Sequence, residues 1–92
     1  MALDQINRVE ILSKLYKTLG SNSFYEAAEL VGYVIDWDHP NSLMRTKIVL
    51  WKAIKSNGYV CYGVYQRKIN VDQLKRAYTE FVRIAKRYGA DL

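Results

Sequence analysis

Residues 41–58 read NSLMRTKIVLWKAIKSNG, and the placement of this stretch decides the architecture of the chain. It follows the lone proline, Pro40, whose ring disfavours helix at the preceding residue, and it opens on Asn41 and Ser42, both favoured helix N-caps. It closes on Asn57 and Gly58, where glycine takes the left-handed conformation that ends helices. The spacing therefore predicts a helix over residues 42–57. At about 100° per residue, Leu43, Met44, Ile48, Leu50, Trp51 and Ile54 share one broad face, expected inward. Ser42, Arg45, Thr46, Val49, Lys52 and Ser56 occupy the opposite face, expected outward. Lys47 falls within the apolar arc, which requires its aliphatic stem to snorkel.

Working outward, Leu3 to Leu19 carries Val9, Leu12, Leu15, Tyr16 and Leu19 at three- and four-residue spacing, the mark of an amphipathic helix stopped by Gly20. Ser23 and Glu26 form a capping box that starts a second helix near Phe24. That helix turns Phe24, Ala27, Ala28, Leu30 and Val31 inward and ends at Gly32, unless Tyr33 to Ile35 extend it. Beyond Gly58, the β-branched and aromatic run Tyr59 to Ile69 reads as extended chain. Tyr62 and Gly63 would make the turn of a small hairpin, with Tyr59 to Cys61 pairing against Val64 to Gln66. Asn70 then caps a last helix over residues 71–88. Its apolar arc holds Leu74, Ala77, Tyr78, Phe81, Ile84, Ala85 and Tyr88, opposite Lys75, Arg76, Arg83, Lys86 and Arg87.

Ninety-two residues, half of them hydrophobic, make one folded domain and exclude a two-domain enzyme. The net charge of +5 is unevenly placed. Residues 1–40 hold three basic and six acidic side chains, a net of −3, whereas residues 41–92 hold eleven basic and three acidic, a net of +8. Such asymmetry favours a surface that meets phosphates. No apolar run reaches the roughly 18 residues of a membrane span, and the first residues lack a basic stretch followed by an apolar core. A cytoplasmic protein is the expectation.

Catalysis is not expected. Cys61 has no adjacent histidine and is expected to be buried in a strand, where a thiol stays inert. His39 is the only histidine, so a Cys/His zinc site is excluded, and Asp36, Asp38 and His39 read as a turn before proline. The five glycines form no phosphate loop. No cofactor and no metal are called for.

The order helix, capped helix, loop, helix, short basic hairpin, helix resembles a winged helix-turn-helix DNA-binding domain with an added C-terminal helix. Ser23 to Gly32 (SFYEAAELVG) is similar to the supporting helix, Asn41 to Gly58 to the recognition helix, and Tyr59 to Ile69 (YVCYGVYQRKI) to a much shortened wing. Two features depart from the pattern. The loop over residues 33–40 is longer than the turn of a simple helix-turn-helix, and the hairpin is shorter than an ordinary wing. The resemblance implies a mainly α, winged-helix-like domain that binds double-stranded DNA and regulates transcription. A major groove about 12 Å wide admits one α-helix, so Arg45, Thr46 and Val49 would face base edges, with Ser42 and Lys52 on phosphates. Arg67 and Lys68 would touch the flanking backbone. By the same resemblance the last helix would pair with its counterpart in a homodimer through Tyr78, Phe81, Ile84 and Tyr88, the alternative being that this stripe closes the monomer core. Two other functions fit the residues: an adaptor that binds another protein through its aromatic surfaces, or a single-strand or RNA binder that stacks bases on Tyr59, Tyr62 and Tyr65 beside Arg67 and Lys68.

Overall fold

Every fourth residue of the first helix, α1 (Gln5–Leu19), is apolar from Ile11 onward, and Ile11, Leu15 and Leu19 are buried. The computed structural model describes residues 5–19, 30–62 and 65–92, with side chains described at 8–19, 30–61 and 66–92. The inward stripe of α1 is rotated from the expected one. Val9 is 52% and Tyr16 36% exposed, whereas Ile11 takes the core position. The Ser23–Glu26 capping box and the start of the second helix lie outside the described residues. Residues 30–34 are helical and end that helix, α2, past Gly32, with Leu30, Val31, Val34 and Ile35 buried.

The turn that follows is held locally, as the sequence Asp-Trp-Asp-His before proline implies. Asp36 Oδ1 accepts from the Asp38 N–H at 3.0 Å, and His39 Nδ1 accepts from the Asn41 N–H at 3.0 Å. Helix α3 (Ser42–Lys55) then runs to a closing turn in which Asn57 has φ 58° and Gly58 φ 93°. The Gly58 N–H donates to Ala53 O at 2.9 Å, and Ile69 N–H donates to Gly58 O at 2.8 Å, so this glycine ends the helix and begins the hairpin.

Strands β1 (Tyr59–Tyr62) and β2 (Tyr65–Lys68) are antiparallel, with Tyr59 opposite Lys68, Val60 opposite Arg67 and Cys61 opposite Gln66. The register is two residues longer than the one expected from a Tyr62–Gly63 turn. Tyr62 pairs with Tyr65 inside the ladder, which draws Arg67 and Lys68 into β2 instead of leaving them beyond it. A shift of two keeps each side chain on its original face.

Helix α4 (Val71–Arg87) starts at Asn70, whose Oδ1 accepts from the N–H groups of Asp72 at 2.9 Å and Gln73 at 3.2 Å. It lies between α1 and α3 and packs on both. Leu74, Ala77, Phe81, Ile84 and Ala85 are its buried stripe, completing one core with α1, α2, α3, Val60 and Ile69. At its C-terminal end, Glu10 of α1 accepts hydrogen bonds from Tyr88 and Arg87. These bonds, the one from Tyr88 foremost, hold the Glu10 carboxyl below the ordinary glutamate range. Among the described residues the chain is mainly helical with one two-stranded hairpin, and none of their helices is long and apolar enough to cross a membrane.

Candidate nucleic-acid interface

The outer face of α3 is set by what its inner face buries. Thr46, Leu50 and Ala53, one helical turn apart, are the buried residues of α3, and the small side chains of Thr46 and Ala53 permit close approach to the core. Leu43, Val49 and Ile54 pack beside them, partly buried. The face opposite this stripe therefore carries Met44, Ile48, Trp51, Lys52 and Lys55. Ile48 is 44% and Trp51 48% exposed, which corrects their expected inward placement.

The corresponding corrections fall on two residues expected to read bases. Thr46 is fully buried, and its hydroxyl donates to Ser42 O at 2.8 Å within the helix. A hydroxyl folded back on its own helix needs no external partner, which is why a polar residue fits at the core. Arg45 is half-buried, and its Nη1 donates to Tyr33 O and Val34 O, each at 3.1 Å, while its guanidinium stands 5.8 Å from the Tyr33 ring centroid. A cation on the last carbonyls of a helix satisfies orphan acceptors and the negative end of the helix dipole. The guanidinium of Arg45 thus fastens α2 to α3.

The rest of the expected set stays at the surface or its margin. Lys52 is exposed, Val49 is half-buried, and both line an open groove of about 470 Å³ between α3 and β1. Met44, Ile48 and Tyr59 form its apolar wall. Ser42 is half-buried at the start of α3. On the hairpin, Lys68 is exposed, its ammonium 5.5 Å from the centroid of the Tyr59 ring, and Arg67 is half-buried opposite Val60. Tyr59 thereby joins Lys68 to the surface that Lys52 occupies. Lys55 stands 5.7 Å from the Trp51 ring, and that ring lies 5.6 Å from Tyr78 of α4. None of Lys52, Lys55 and Lys68 makes an ion pair among the described residues.

Sequence reasoning missed Met44, Ile48, Trp51 and Lys55 as surface residues. The available signal was Thr46, Leu50 and Ala53, a narrow stripe of small and apolar residues at helical spacing, hidden beneath larger apolar side chains spread around the helix. Cys61 was also misplaced: it is exposed on β1. Of the residues expected at a dimer seam, Phe81 and Ile84 are 1% and 0% exposed within the single chain, and Tyr78 and Tyr88 are partly buried against its core. The α4 stripe covers α1 and α3 of its own chain.

Among the described residues, no three His, Cys, Asp or Glu side chains are grouped to hold a metal ion. Comparison with protein-family profiles, with curated proteins and with solved structures returned no match.

Proposed function

We propose that the protein binds double-stranded DNA through the outer face of α3, with the hairpin alongside, as a small winged-helix-like regulator of transcription. One observation carries this reading: α3 presents a face on which Lys52 and Lys55 make no ion pair among the described residues, continued through Tyr59 to Lys68 of the hairpin. A projecting helix with cations along it and on a neighbouring hairpin suits entry into a major groove, with lysines on the flanking phosphates. The order of elements, two helices, a loop, a third helix, a hairpin and a last helix, supports the winged-helix resemblance.

The roles differ from those expected at first. Lys52, Lys55 and Lys68 take phosphates, and Ser42, half-buried at the other end of α3, a further one. Met44, Ile48 and Val49 offer apolar contact to thymine methyl groups. Arg45 positions α3 against α2, and Thr46 belongs to the core. A homodimer remains part of the proposal, on a face other than the Phe81–Ile84 stripe, and sedimentation of the chain over a range of concentrations tests it.

A second reading has its own observation. Trp51 and Tyr59 are about half exposed, 48% and 47%, and each ring has a lysine ammonium near it. Such pairs suit stacking of unpaired bases, worth about 1–3 kcal/mol per base. Competition between a duplex and its single strands, repeated with Trp51→Ala, separates the two. The duplex reading expects duplex to compete better and the substitution to affect both ligands alike; a loss confined to the single strand supports stacking. Absence of binding to either would leave the aromatic surface to a protein partner.

A further inference from the structure

A second cationic surface lies away from α3. Between the C-terminal half of α1 and the N-terminal half of α4 runs an open groove of about 480 Å³. Lys14 and Lys17 line it from α1, and Lys75 and Arg76 from α4. Gln73 and Thr79 add uncharged donors. The carboxylate in the groove, Glu80, is engaged chiefly by Arg83, which donates to its Oε2 from Nε at 3.1 Å and Nη2 at 2.5 Å, with a lesser attraction from Lys14, and so offsets one of the four groove cations at most. The four groove cations make no ion pair among the described residues. Like charges gathered from segments some sixty residues apart repel one another, and a bound polyanion relieves that repulsion.

The lining identifies the anion. It consists of polar and charged side chains only, so no apolar tip is available to enter a lipid surface. From Gln73 to Glu80 the α4 wall extends about 10 Å at 1.5 Å per residue, and the phosphates of one strand advance about 3.4 Å each along the duplex axis, so a wall lying along that axis spans about three of them. Its cations are distributed along both walls, as a row of phosphates requires, instead of converging on one point.

The position of the groove decides which nucleic acid it meets. On α4, Tyr78 faces Trp51 of α3, whereas Arg76 and Glu80 lie about 160° around the helix at 100° per residue. Gln73 lies about 140° from Tyr78, Thr79 about 100° and Lys75 about 60°, so the Gln73–Arg76–Glu80 edge of the groove is on the flank of α4 away from α3, and Lys75 and Thr79 rim it on the exposed face between the two flanks. We propose that the α1–α4 groove binds the phosphodiester backbone of a second nucleic-acid segment, so that one chain bridges two duplexes. This rests on the proposed binding of duplex DNA by α3.

The test is the binding stoichiometry of a short duplex of about one helical turn, too small to occupy both flanks of one chain. It is measured for the native protein, for K17Q/K75Q/R76Q, whose sites are exposed, and for K52Q/K55Q. The native chain should bind two duplexes and each variant one. One duplex per native chain, lost only in K52Q/K55Q, overturns the groove site and leaves the α3 reading intact. One duplex lost only in K17Q/K75Q/R76Q upholds the groove and overturns the α3 reading. No duplex bound overturns both, and groove-dependent binding to anionic vesicles without duplex binding likewise overturns this assignment. Circular dichroism of each variant verifies that it is folded.

Discussion

The Arg45 guanidinium donates to the Tyr33 carbonyl at 3.1 Å and stands 5.8 Å from the centroid of the same residue's ring. One side chain of α3 therefore closes the end of α2 across a loop. The cation that sequence periodicity assigns to base reading is used instead to fix the angle at which α3 is presented.

Replacing Arg45 with Ala should accordingly act on stability before specificity. Loss of a charged donor to two carbonyls at a partly exposed site should cost about 1–2 kcal/mol, read from the urea midpoint at unchanged slope. Affinity should fall equally for specific and random duplex, since the helix is displaced and no base contact is removed. A change in base preference confined to one position would restore Arg45 to the base-reading role.

Thr46 offers a test of the helix rotation. Its hydroxyl bonds only Ser42 O, at 2.8 Å, a carbonyl that the helix already engages. Thr46→Val should change stability by less than about 1 kcal/mol and leave DNA binding unaltered. A clear loss of affinity in a folded Thr46→Val protein would mean that this hydroxyl reaches the ligand.

Gly58 is a position where a side chain is not tolerated. Its φ is 93°, and a Cβ there would stand 2.0 Å from Ile69 O. Gly58→Ala should destabilise by about 1–3 kcal/mol or more, with the hairpin displaced. Asn57→Gly, at φ 58°, should stay within about 1 kcal/mol, because relief of the left-handed conformation offsets the added freedom of the unfolded chain. Thermal unfolding of the two variants side by side checks the contrast; equal effects would contradict it.

The Glu10 contacts with Tyr88 and Arg87 make part of the stability dependent on pH. The folded-state pKa is depressed, so between that value and the ordinary one the unfolded chain binds more protons and stability rises with pH. The contribution is complete above the ordinary glutamate range and disappears as pH falls through the depressed value. Glu10→Gln should therefore be less stable than the native chain at neutral pH, with the gap narrowing in acid. A dependence from Glu80 remains in both proteins, since Arg83 lowers that carboxyl too. Parallel stability curves would exclude the Glu10 contribution.

Elements with one strong local signal were legible in the sequence. Asn70 caps α4, Gly58 ends α3, and the Leu74–Ala77–Phe81–Ile84 stripe is inward as its spacing implies. The face of α3 was not, for a physical reason. With Val49 on the other side of Leu50, the apolar residues Leu43, Ile48, Leu50, Trp51 and Ile54 are spread around more than half of the helix, so hydrophobicity alone does not select a side. The choice is made by packing, which places the small Thr46 and Ala53 toward the core, and by Arg45, whose partners are backbone carbonyls on another element. The hairpin register depended on whether Tyr62 lies in the turn or the ladder, and β propensity does not distinguish the two.

The central claim is that the outer face of α3 meets duplex phosphates through Lys52, Lys55 and Lys68. The most direct measurement is the affinity of the K17Q/K75Q/R76Q protein, which retains this face alone, for duplex DNA across a salt series, with and without K52Q/K55Q. A slope of about −2 to −3 in log affinity against log salt is expected, becoming shallower by about 2 when both α3 lysines are neutralised. A slope that does not respond to K52Q/K55Q, or the absence of duplex binding by this face, would contradict it.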